Sequence, residues 1–121
     1  MSDPNQPPVE LVARHVNGND ELRGLLANNG DDGTGVAEVR HFLSPLTPDL
    51  CPAPRADLVT ALREGGWFAE PFGETGVMLT ETREVASGAF NRHTATLDWM
   101  VQGAGWMYDG WERAVQVESK E

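Results

Sequence analysis

Between residues 36 and 43 hydrophobic and polar side chains alternate: Ala37, Val39, His41 and Leu43 fall on one face, Glu38, Arg40 and Phe42 on the other. That period of two predicts a half-buried strand with a histidine in its apolar row. His41 there is either a hydrogen-bonded structural histidine or a residue that contacts a ligand or partner. A period nearer 3.6 appears upstream, where Leu22, Leu25 and Leu26 share a face and predict a short helix over residues 19–30. Asn19 fits its N-cap, Asp20 and Glu21 suit its positive end, and Gly30 fits a left-handed stop. Before it, residues 9–16 are apolar enough for a short helix or an added strand, and Asn17-Gly18 reads as a break. Residues 1–8, with three prolines, read as a disordered lead.

Downstream, Pro45, Pro48, Pro52 and Pro54 mark residues 44–54 as a loop. A helix follows over 55–65, with Pro54 suited to its first position, Leu58, Ala61 and Leu62 as its stripe, and Gly65-Gly66 as its stop. Trp67 to Glu70 predicts a second strand, and Pro71 suits a sheet edge. Residues 72–76 form a hairpin connection to a third strand, where Val77 and Leu79 share a face. Asn91 fits an N-cap for a helix over 92–102 with Leu97, Met100, Val101 and Ala104 inward, Trp99 on a flank and His93 in solvent. Residues 106–117 make a fourth strand.

The predicted order is a helix followed by β-α-β-β-α-β. That is the split βαβ, ferredoxin-like arrangement of an α+β fold, with two helices on one face of a four-stranded antiparallel sheet. Residues 1–18 are the lead and residues 19–121 the domain. In this layout the first and fourth strands are neighbours, so His41 approaches the segment from Trp106 to Glu112.

That segment holds two Trp and one Tyr around Gly110, in a chain that is only 7% aromatic. Tyr and Trp have apolar bodies and one polar tip, which suits a half-wet surface. A lone strand glycine marks a bulge or a close backbone approach. The aromatics either close the core or form a recognition surface. The second reading makes His41, Tyr108, Asp109, Trp111 and Glu112 the candidate partner-binding residues.

Composition narrows the partners. A chain of 121 residues is one domain with a core of its own, and its 40% apolar content includes no membrane-length run. The first residues lack the basic and apolar regions of a signal peptide, so the expected location is cytoplasmic. The net charge of −10, with eight scattered Arg and one Lys, disfavours direct nucleic-acid binding and favours a basic or neutral protein surface. Cys51 has no second cysteine to pair with and reads as an inert thiol. Three dispersed histidines and one cysteine give no metal-ligand spacing, so no metal or cofactor is expected. Asp31-Asp32-Gly33-Thr34-Gly35 looks briefly like a calcium loop but lacks its alternation and distal Glu. An enzymatic reading would need His41, Asp109 and Glu112 as an acid–base cluster. No nucleophile, phosphate loop or metal motif accompanies them, so the expectation is a protein that is not an enzyme.

Three stretches resemble a known family: Asn28-Asn29-Gly30-Asp31-Asp32-Gly33 after a Leu-rich helix, Val39-Arg40-His41-Phe42-Leu43, and Tyr108-Asp109-Gly110-Trp111-Glu112 after a helix ending at Gly105. The chain is similar, over residues 19–117, to the regulator of ribonuclease E activity B (RraB) family of bacterial inhibitors. That resemblance implies the ferredoxin-like fold and a small acidic regulator that binds a ribonuclease E-type endoribonuclease and so modulates RNA decay. It implies no cofactor. Better-known members carry a long acidic tail, whereas this sequence closes with Val117-Glu118-Ser119-Lys120-Glu121. The competing reading is a ferredoxin-like domain that forms a homodimer or binds a small ligand.

Overall fold

Pro8 precedes a helix, α1 (Val9–Asn28), that runs unbroken through Asn17 and Gly18. The computed structural model describes residues 7–46 and 52–113. The inner stripe of α1 is Leu11, His15, Asn19, Leu22 and Leu26, all buried or partly buried. Two of these five are polar, which is why the apolar pattern breaks in the middle of a continuous helix. Gly18 has open space around it, and an exposed helical glycine costs only about 1 kcal/mol against Ala. The expected break and the expected Asn19 cap are therefore corrected: Asn19 lies mid-helix with its side chain inward. The expected stop holds. Gly30 has φ 90°, its N–H reaches the Ala27 carbonyl, and the Asp31 N–H reaches Leu26, the paired bonds of a Schellman ending.

The remaining elements are β1 (Ala37–Pro45), α2 (Arg55–Glu64), β2 (Phe68–Phe72), β3 (Gly76–Arg83), α3 (Gly88–Gln102) and β4 (Trp106–Arg113). The strands form one sheet in the order β2-β3-β1-β4, each antiparallel to its neighbours. The fold is thus α+β. Expected features at residues 1–6, 47–51 and 114–121, including Cys51 and the end of the fourth strand, lie outside the described residues.

The helices cover one face of the sheet. Leu43, Leu79, Ala69 and Val77 from the strands pack with Leu58, Val59 and Leu62 of α2 and Leu97 and Val101 of α3. A second cluster joins Leu26 of α1 to Val39, Val85, Phe90 and Trp111. Ala61 and Met100, expected inside, are exposed; Val59 in α2, and Phe90 and Ala95 in α3, are buried in their stead. Helix α3 also begins earlier than expected, so Asn91 sits inside it and is buried. Pro71 lies within β2, at the sheet edge where its missing N–H costs no ladder bond.

One irregularity shapes β4. Opposite β1, Phe42 pairs with Gly110 and Leu43 with Tyr108, so Asp109 is an extra residue. Gly110 has φ 129°, and this bulge restarts the alternation. Tyr108 and Trp111, three residues apart, consequently both turn toward the helices.

At the other end, a buried ion pair joins Arg113 to Asp31, with Nε 3.2 Å from Oδ2. Asp32 instead accepts bonds from Thr34. The two carboxylates of the calcium-like turn are thereby committed to different partners.

Candidate functional site

The inward row of β3 reads Val77, Leu79, Glu81. A carboxylate thus occupies a position that the strand pattern reserves for an apolar side chain. The inward row of β1 presents His41 beside it, and α3 lays His93 over both. Glu81 Oε2 lies 2.5 Å from His41 Nε2 and 2.8 Å from His93 Nε2. Arg83 donates from Nε to Glu81 Oε1 at 2.8 Å. His41 Nδ1 lies 2.7 Å from the Tyr108 hydroxyl. His41 is fully enclosed, Glu81 is 14% exposed and His93 22%.

The environment fixes the protonation of this cluster. Burial would raise the Glu81 carboxyl, but hydrogen bonds from His41, His93 and Arg83 outweigh it and hold it well below the usual range. Burial pushes His41 below its ordinary value against the pull of Glu81. A neutral His41 donating from Nε2 to the carboxylate leaves Nδ1 to accept from Tyr108. Burial, with the charges of Glu81 and Asp98 adding, pushes the Tyr108 hydroxyl up, so it stays protonated.

A second polar cluster adjoins the first through Tyr108, whose ring centroid is 5.5 Å from that of His15. His15 bonds Thr94 Oγ1 and Asp98 Oδ2, both at 2.8 Å. Asn19 donates to Asn91 Oδ1 at 2.9 Å and accepts from the Trp111 indole at 2.8 Å. Arg23 closes the chain by donating to Asn91 Oδ1 at 2.6 Å. No buried side-chain polar atom among the described residues lacks a partner, so these groups also fix the register of α1 on α3.

The five candidate contact residues divide between the two faces of the sheet. His41 and Trp111 are sealed beneath the helices, and Tyr108 is mostly covered with its hydroxyl turned inward. They are corrected as surface contacts: the β4 bulge places both aromatic tips on internal partners. Asp109 and Glu112 remain exposed, Asp109 accepting from Ser44 at 3.0 Å and Glu112 lying 3.6 Å from Arg40. The acid–base cluster of His41, Asp109 and Glu112 is not assembled. His93, expected in solvent, instead joins Glu81 and His41. Neither Glu81 nor His93 carried a sequence motif, yet Glu81 shares the period-two row of Val77 and Leu79, and that was a readable signal.

Among the described residues nothing covers the face of the sheet away from the helices. Phe68, Phe72 and Met107 are exposed there, Phe42 and Met78 are half-buried, and the rings of Phe42 and Phe72 lie 5.2 Å apart. Glu70 lies between Phe68 and Phe72 on this face, and Glu38 and Arg40 of β1 with Asp109 and Glu112 of β4 flank the patch on the other side.

No protein-family model matches the chain. No curated protein matches it either. Among the described residues no helix is long and apolar enough to cross a membrane.

Proposed function

We propose that this chain is a small acidic protein-binding regulator of the RraB kind, built on a ferredoxin-like fold and acting by contact with a ribonuclease E-type endoribonuclease. The strand order β2-β3-β1-β4 with antiparallel neighbours supports the fold assignment, because it matches a split βαβ unit in which the fourth strand returns beside the first. One observation carries the functional reading: a sheet face that no described residue covers, with Phe42 and Met78 on its central strands and Phe68, Phe72 and Met107 on its edge strands. Contiguous apolar surface rimmed by charge marks a binding site on a soluble domain. Asp109 and Glu112 stand at its rim, while His41, Tyr108 and Trp111 support the same two strands from beneath. A net charge of −10 favours the approach of a basic segment of the nuclease to the chain. The regulator needs no catalytic groups of its own, and a cytoplasmic location goes with this reading.

The test is binding of the purified chain to purified ribonuclease E from the same organism. Phe72→Asp is expected to weaken it at least tenfold without lowering the melting temperature. Absence of binding, or binding indifferent to Phe72→Asp, overturns the reading. The same apolar face also suits a second copy of the chain, and light scattering that shows a stable dimer broken by Phe72→Asp favours that reading instead.

A further inference from the structure

Glu81, His41 and His93 lie on the helix-covered side of the sheet, away from the proposed contact face, and their arrangement is more specific than core packing requires. We propose that His41 Nε2, Glu81 Oε2 and His93 Nε2 form a three-ligand site for a divalent first-row transition metal, with zinc the expected occupant. The three donor atoms lie within 4.8 Å of one another, the one such group of His, Cys, Asp or Glu among the described residues.

The donor set fits. Two imidazoles and one carboxylate are the ligands of zinc sites that keep a fourth position open. Two nitrogens disfavour calcium and magnesium, which take oxygen. At present Glu81 shares one hydrogen bond with each histidine, at 2.5 and 2.8 Å. A metal takes the place of the proton on each Nε2, and a neutral imidazole that ligates through Nε2 carries its proton on Nδ1 instead. Metal–ligand bonds of about 2.0–2.1 Å separate tetrahedral ligands by about 3.3 Å, so each Glu81–His pair opens by less than about 1 Å, while the two imidazole nitrogens, within 4.8 Å of each other, settle at that same spacing.

The surroundings hold these ligands as a metal site requires. His41 Nδ1 meets the Tyr108 hydroxyl at 2.7 Å. A hydroxyl both donates and accepts, so it serves the tautomer in which Nε2 bonds carboxylate and equally the one in which Nε2 bonds metal. Ligating histidines commonly anchor their other nitrogen in this way. Arg83 occupies Glu81 Oε1, leaving Oε2 as a single ligand atom. The Trp67 ring stacks on His93 at 5.3 Å and meets the edge of His41 at 6.0 Å, which gives the site an apolar wall. The ligands come from two central strands and the helix above them, not from loops. Access exists as well: His93 borders an open surface pocket of about 560 Å³ that it shares with Arg83, Arg92 and Thr96. A water or a small anion entering there would supply the fourth ligand.

The experiment is a zinc titration of the full, untagged chain after chelator treatment, followed by calorimetry. One Zn2+ per chain is expected. His93→Gln and Glu81→Gln should each weaken uptake at least a hundredfold, and His15→Gln, in the neighbouring cluster, should leave it unchanged. Long-range proton–nitrogen spectra of the wild-type chain read the ligands directly. Zn2+ should move Nε2 of His41 and His93 and leave His15 in place. A folded wild type that takes up no stoichiometric zinc, shifts confined to other residues, or uptake that survives both Glu81→Gln and His93→Gln overturns the site and leaves a hydrogen-bonded core network.

Discussion

At Gly110 the backbone adopts φ 129°, and this one residue decides which way Tyr108 and Trp111 face. Space is not the reason for glycine, because a Cβ there would meet nothing within 4 Å; conformation is. Gly110→Ala should therefore cost about 1–3 kcal/mol in backbone strain alone, read as a lower melting temperature. A neutral result would mean that the bulge relaxes freely. Titrating groups make a second prediction at this scale, for the metal-free protein. Burial holds His41 below its ordinary 6.5. For Asp98, burial would raise the carboxyl, but hydrogen bonds from His15 and Gln102 hold it below 3.8. Glu81 is held below 4.5. In all three cases the unfolded chain takes up its proton first as pH falls, so acid favours unfolding. Stability should be complete between pH 6.5 and 10, begin to fall below 6.5 through His41, fall further below 4.5 through Glu81 and below 3.8 through Asp98, and fall above 10 as the unfolded chain loses the Tyr108 proton first. Melting temperatures across that range check this, and Glu81→Gln should flatten the acid limb. A melting temperature that rises on acidification would contradict the assignment.

At the scale of elements, α3 was legible as a helix but not in its rotation. Leu97 is 1% exposed and Met100 47%, although both fit one apolar stripe. Leu97→Ala should cost about 2–5 kcal/mol by leaving a cavity, while Met100→Ala should stay within about 0.5 kcal/mol, as surface changes do. Chemical denaturation of the two variants measures the contrast, and equal losses would place Met100 in the core. The first helix shows the opposite failure. Its inner stripe was present in the sequence at 11, 15, 19, 22 and 26, but His15 and Asn19 stand where apolar residues mark a core face. Their partners Thr94, Asp98, Asn91 and Trp111 lie more than 70 residues away. No local pattern announces a polar residue that is satisfied at such a distance.

For the whole molecule, an acidic field around an apolar face makes a definite kinetic prediction. If a basic partner is steered to the sheet, its association rate should fall steeply as salt shortens the Debye length from about 30 Å at 0.01 M to about 8 Å at physiological strength. Dissociation, set by Phe42, Phe72 and their neighbours, should change much less. Stopped-flow measurement separates the two, and an association rate independent of salt would remove steering from the account.

The sequence by itself determined the strands, the antiparallel α+β class, the glycine stop at Gly30 and the inward row of β1. Those features depend on side-chain period and on backbone freedom, which are local. Only the tertiary structure decided that α1 is continuous, that Tyr108 and Trp111 turn inward together, and that His41, Glu81 and His93 converge. Each of these depends on a bulge or on partners supplied by distant strands and helices, and the spacing of residues along a chain does not encode distance across a sheet.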